Sequence, residues 1–154
     1  MPDRQEWDAR DAAGMAAKQF VAASRAAMEA ILRPYGLGGT QWWVVAQLAL
    51  EGQLRQRDLA VAMHVERATV SEIVLTLVRK GMVEQRIDPA DQRQKVLHLT
   101  EAGQALHAAM PNPMEQLYEV AFAGCPTEEL TATARVLQAA AARLEDTRRE
   151  GDKE

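Results

Sequence analysis

Between Glu66 and Leu99 the spacing of apolar residues changes from one every 3.6 positions to one every two, and no other feature narrows the fold as much. Val70, Ile73, Val74 and Leu77 fall on one stripe of a helix over 66–80, and Gly81 supplies its C-cap. Val83, Gln85 and Ile87 then alternate with Glu84 and Arg86. Leu97 and Leu99 alternate with Val96 and His98, as in the second strand of a hairpin. The polar stretch between them, Asp88-Pro-Ala-Asp-Gln-Arg-Gln, is longer than a tight hairpin needs. A shorter helix over 56–63 precedes, separated from the next by only His64 and Val65. The order is helix, short turn, helix, two-stranded wing. A helix fits the major groove of B-DNA, and a hairpin beside it can reach the adjacent backbone or minor groove. A helix pair alone is a weak signal; a hairpin with a basic tip directly after it is a much stronger one.

The flanks read as helices. From Asp8 to Arg33 the chain is Ala-rich, and Phe20, Ala23, Ala27 and Ile31 recur at helical spacing, joined by Val21, Met28 and Leu32. So many apolar positions exceed one narrow stripe and predict a helix buried on two sides. Pro34-Tyr-Gly-Leu-Gly-Gly ends it. Thr40 reads as the N-cap of a helix running to about Glu51, with Trp42, Val45, Leu48 and Ala49 on one face and Gly52 as its stop. Thr100 caps a further helix that Pro111-Asn-Pro113 must kink or break. Thr127 reads as the N-cap of a last helix, from Leu130 to about Arg149, and the charged tail 150–154 reads as frayed. The fold class is mainly α with a small β wing, in a single domain over 1–154.

Composition bounds the function. With 154 residues, 47% hydrophobic and 26% charged, the chain can bury a core. Apolar runs are short and broken by charges, so no membrane partner is expected, and the first seven residues lack the form of a secretory signal. The single Cys125 allows no internal disulfide, and the simplest residence is cytoplasmic. The net charge of −4 argues at face value against nucleic acid, but its distribution does not. From Leu54 to Lys95 there are eight Lys and Arg against six Asp and Glu, leaving the acidic excess outside the predicted reading head. No Gly-rich phosphate loop, nucleophile elbow or metal-spaced cluster occurs, so an enzyme, a metal and a cofactor are not expected. His64, in the turn, reads as a residue tolerating an unusual backbone angle, while His98 and His107 are too scattered for a metal site.

Leu59-Ala60 through Thr100, and above all Asp88-Pro-Ala-Asp-Gln-Arg-Gln-Lys-Val-Leu-His-Leu-Thr-Glu-Ala-Gly103 with its Asp91-x-Arg93 pair, resembles the wing signature of the MarR family of bacterial regulators. Leu37-Gly-Gly-Thr-Gln-Trp42 resembles that family's approach to its second helix, and the six-helix order matches as well. The resemblance implies a winged helix-turn-helix DNA-binding region over 40–99 and a homodimer built from dimerisation helices over 8–33 and 100–149. It further implies a near-palindromic double-stranded DNA operator and a repressor released by a small-molecule effector. Each subunit would lay the 66–80 helix in a major groove and the wing arginine, Arg93, in a minor groove, with Asp91 as its brace. Arg86 and Lys95 read as phosphate contacts, or else as an ordinary wet strand face.

On the recognition helix Arg67 can pair with guanine or phosphate, Ala68 can touch a thymine methyl, and Thr69 and Ser71 can bond bases or phosphates. The alternative for Ser and Thr here is surface filler. Three positions depart from the family pattern: Thr76 stands where a basic residue is usual, Glu72 places an acid near the phosphates, and Arg55 replaces a capping Ser or Thr, so it reads as a phosphate clamp. Glu72 could also accept from a cytosine amine. Phe20, Trp43 and Met63 are the candidate walls of a small-molecule pocket, although pocket walls and cores share the same composition. Cys125, placed near the end of the fifth helix, reads as a packed or idle thiol before a redox sensor. A ligand-independent regulator or activator on the same fold, and a winged-helix protein-interaction module, remain alternatives.

Overall fold

A computed structural model of the protein describes residues 9–151. The helix start at Asp8, the reading of residues 1–7 and the tail 152–154 lie outside the described residues. The chain divides into two compact units, one ending at Leu117 and the other beginning at Tyr118.

In the first unit, α1 (Ala9–Leu32) leads through a 3-10 turn at Arg33–Tyr35 to α2 (Gly39–Glu51), α3 (Gln56–Met63) and α4 (Arg67–Arg79). The hairpin of β1 (Val83–Asp88) and β2 (Asp91–Leu99) follows, then α5 (Glu101–Ala109) and α6 (Pro113–Ala121), whose last turn passes into the second unit. The hairpin is a two-stranded antiparallel sheet pairing Val83 with Leu99, Gln85 with Leu97 and Ile87 with Lys95. The core joins Leu32, Val44, Val45 and Leu48 to Leu59, to the Val70, Val74 and Leu77 stripe of α4, and to Val83 and Leu97 at the root of the wing. No helix among the described residues is long and apolar enough to cross a membrane.

Several local expectations are corrected. Thr40 lies inside α2, not at its cap. Gly38 is the N-cap residue, and its N–H donates to Gln41 Oε1 at 3.4 Å, because a side chain one turn in reaches the exposed amide. The helix after Thr100, as expected, is broken at Pro111-Asn-Pro113. It stops, and α6 starts afresh with Asn112 Oδ1 accepting from Met114 N–H at 3.1 Å. The described residues therefore hold seven α-helices where six were expected. The predicted two-sided burial of α1 is also absent: only Met28 and Leu32, in its last turns, are buried, while Val21 is 58% exposed. His64, the C-cap of α3, has φ 54° and is the one non-glycine residue with positive φ among the described residues.

The second unit consists of the last turn of α6, a turn containing Gly124 at φ 74°, and α7 (Thr127–Gly151). Thr127 is the first helical residue rather than the cap, and the Pro126 carbonyl accepts from Leu130 N–H at 3.2 Å. Cys125 is exposed in the turn before α7, not near the end of the preceding helix. No residue of α7 is buried, and Val136, Leu137 and Leu144 are exposed along it.

Candidate nucleic-acid interface

The reading helix is held by its apolar stripe. Val70, Val74 and Leu77 are fully buried, which turns Ala68, Glu72, Leu75 and Arg79 outward, with Arg67, Thr69 and Ser71 also exposed near the N-terminus. Ser71 Oγ lies 2.9 Å from the Arg67 carbonyl and 3.1 Å from Gln56 Oε1, so its hydroxyl already links α4 to α3. Thr76 Oγ1 donates to the Glu72 carbonyl at 2.9 Å. The turn between the two helices is closed by Val65 N–H donating to the Ala60 carbonyl at 3.2 Å.

The wing turns more tightly than its polar stretch suggests. Asp88 pairs with Asp91, leaving Pro89 and Ala90 as the connection, with a register irregularity beside Asp88. Asp88 is the reason. Its side chain is buried; Oδ1 accepts from Ala90 N–H at 2.9 Å and Oδ2 accepts from Arg55 Nε at 3.0 Å and from Arg55 Nη2. Leu54 is drawn onto the same sheet, exchanging backbone bonds with Leu97 at 2.8 and 3.2 Å. Arg55 is therefore committed to the wing rather than extended as a clamp. Asp91 also braces the tip, but not through the Arg93 guanidinium: Oδ1 accepts from Arg93 backbone N–H at 3.1 Å and Oδ2 from the Gln94 side-chain Nε2 at 2.7 Å. Arg93 itself is exposed, as is Lys95, while Arg86 is paired with Glu84 on the same strand.

Ala90 N–H, and after it the Arg55 guanidinium, hold the Asp88 carboxyl below the usual carboxylate range. A folded pKa below the unfolded one contributes stability above the unfolded value, and that stability is lost as pH falls through the folded one. Amide exchange of the wing is thus expected to accelerate as pH falls below about 4, once corrected for the intrinsic pH dependence of exchange. Asp88→Asn should remove that dependence; an unchanged acid profile in the variant would assign it to other carboxylates.

Behind the wing, Thr100 Oγ1 donates to the Gly81 carbonyl at 2.6 Å and accepts from Gly103 N–H at 3.0 Å, capping α5. Thr100 N–H donates to the Met82 carbonyl at 3.0 Å. A Cβ on Gly103 would stand 2.1 Å from that same oxygen. The Thr-Glu-Ala-Gly run is thus a joint between wing and α5.

Two clefts complete the site. One of about 300 Å³ lies between α3 and the wing and is lined by Arg55, Gln56, Arg57, Gln85, Gln94, Lys95 and Leu97. Arg57 was not singled out from the sequence, where its only signal is a cation in the first turn of a short helix. The other, of about 530 Å³, is lined from α2 by Trp42, Ala46, Gln47 and Leu50 and from the α5–α6 junction by His107, Met110, Asn112 and Met114. Phe20, Trp43 and Met63 do not line it: Phe20 is exposed on α1, and Trp43 and Met63 pack against the core. Trp42 packs against the core as well and is the tryptophan that lines the cleft.

A helix pair packed through its inner faces, an outward reading face and a hairpin beside it define a winged helix-turn-helix protein. Over its central part the chain is similar to the MarR family. A sequence model of that family matches residues 35–94. The chain is similar to the HTH-type transcriptional repressor NicR of Pseudomonas putida, 30% identical over 102 residues that cover 66% of this chain and 65% of NicR. It spans about half to two thirds of the length of the first curated relatives it matches. Among solved structures, CouR of Rhodococcus jostii bound to p-coumaroyl-CoA is 25% identical with a TM-score of 0.72, covering 83% of this chain and 90% of that one. A MarR mutant from E. coli complexed with operator DNA shares the fold, at 18% identity and a TM-score of 0.75, covering 82% and 91%.

Proposed function

We propose that the protein is a homodimeric, sequence-specific DNA-binding transcriptional repressor, acting in the cytoplasm, that a small-molecule effector releases from its operator. The observation that carries this reading is the paired presentation of two outward elements: the Arg67–Ser71 turn of α4, mounted on a buried apolar stripe, and the Arg93 wing tip, held by Asp91 and the buried Asp88. Arg67, Ala68, Thr69 and Ser71 address the major groove, Arg93 the minor groove, and Lys95 and Arg57 the phosphates. Arg55 acts one step back, by fixing the wing. The match to the family's sequence model over 35–94 and the likeness to a named repressor support the same reading.

The exposed apolar residues of α1, and separately those of α7, are the surfaces a second copy would cover, so dimerisation is assigned to 9–32 and to the helices of 101–151. The Trp42 cleft is the effector site in this reading: an indole beside His107, Gln47 and Asn112 suits a small aromatic molecule bearing a polar or acidic group. The reading assigns binding and no catalysis.

Selection of bound duplexes from a random pool tests it. A near-palindromic site is expected, with affinity falling roughly a hundredfold or more between about 50 and 200 mM salt. Small aromatic acids are expected to release the duplex. No enriched sequence, or binding indifferent to salt, would favour a protein partner instead.

A further inference from the structure

The C-terminal end of the reading helix is tied by a side chain to the junction between α1 and α2. Lys80 is the C-cap residue of α4, and its side chain leaves the helix and crosses to the junction between α1 and α2. There Nζ donates to the Gly36 carbonyl and, at 2.7 Å, to Gln41 Oε1. Gln41 Oε1 is the same atom that accepts from the Gly38 N–H at the start of α2. One ammonium therefore joins the end of α4 to the loop where α1 hands over to α2.

We infer that Lys80 is a positioning residue, a strut that sets where α4 stands relative to the α1–α2 junction. This inference rests on the DNA-binding reading of α4 for its functional consequence, not for its geometry. The apolar stripe of Val70, Val74 and Leu77 fixes which face of α4 points inward. Apolar contact is non-directional, so it resists a small slide along the helix axis weakly. A charge-assisted hydrogen bond is directional and short, and here it acts at the end of the helix. Lys80 thus belongs to the reading head's alignment although its ammonium is turned to Gly36 and Gln41. A movement of α1 against α2 would reach the groove-facing residues Arg67–Ser71 through this tie.

A phosphate contact by Lys80 would look similar in a single substitution, so the test uses both ends of the strut. Lys80→Met, Gln41→Leu and the double variant are compared in full-length protein by thermal unfolding and by binding to a selected duplex. Each single variant is expected to lower Tm, and the double variant to lower it by less than the sum of the two, because the Lys80–Gln41 bond is shared while the bonds to Gly36 and Gly38 are not. Each is also expected to weaken duplex binding by roughly tenfold, with Gln41→Leu leaving the salt dependence unchanged and Lys80→Arg restoring most of the affinity. Additive Tm shifts would overturn the strut. So would wild-type binding in Gln41→Leu together with a salt slope reduced by about one in Lys80→Met, the signature of a direct phosphate contact. If the wild-type protein selects no duplex, the DNA-binding reading fails, while the additivity of the Tm shifts still decides whether the strut exists.

Discussion

Gly103→Ala is expected to lower the stability of the first unit by about 3 kcal/mol, with Tm falling by roughly 10 °C. Helix propensity alone points the other way, since Ala in a helix interior is favoured over Gly by about 1 kcal/mol. Packing decides the sign. The new methyl would sit 2.1 Å from the Met82 carbonyl oxygen, which is backbone and cannot rotate aside. To relieve the clash α5 must move away from the chain at Gly81 and Met82. That movement lengthens the Thr100 bonds to both carbonyls and disturbs the cap on Gly103 N–H. Losing a cap adds about 1 kcal/mol to an overpacking cost of about 1–3 kcal/mol. A chemical denaturation series on the variant gives the answer, and a neutral or stabilising result would show that the joint is looser than its geometry.

Arg93→Ala is expected to weaken specific duplex binding roughly a hundredfold, enough to lose the complex in a gel shift, while leaving thermal stability within about 0.5 kcal/mol. The two readouts separate because of how the wing is built. The tip is fixed by Asp91 holding the Arg93 backbone N–H and the Gln94 amide, and the turn itself by Asp88, which accepts from Ala90 N–H and from Arg55. None of those bonds uses the Arg93 side chain, so truncating an exposed guanidinium removes the groove contact and spares the hairpin. The Asp91→Ala variant makes the contrast: it keeps the guanidinium and loses the brace, so it should weaken binding and loosen the tip together. Undiminished affinity in Arg93→Ala, measured at the same salt, would remove the wing from the interface.

The elements of the reading head were legible because their signals are local. The 3.6-residue stripe of Val70, Ile73, Val74 and Leu77 marks a helix wherever it is placed, and a positive φ at His64 follows from a two-residue turn that must reverse direction quickly. The Thr100 cap is similarly local, since its acceptor and donor are three residues apart. Expectations failed where two local solutions compete. At Thr40 a hydroxyl could cap, yet the helix starts one residue earlier and the Gln41 side chain serves the Gly38 amide instead. In the wing, a long polar stretch looks like a loop until Asp88 is buried and folds the chain into two connecting residues.

By itself, then, the sequence determined the order of helices and strands, the inward face of the reading helix and the likeness to a regulator family, because these depend on spacing along one chain. Only the tertiary structure decided what those parts touch. Arg55 turns to Asp88 across 33 residues and Lys80 to Gly36 across 44, and Trp42 rather than Trp43 opens onto the cleft. A charged side chain in solution has many partners of equal merit; it takes a packed core to bring one carboxylate or carbonyl within reach and to hold the others away.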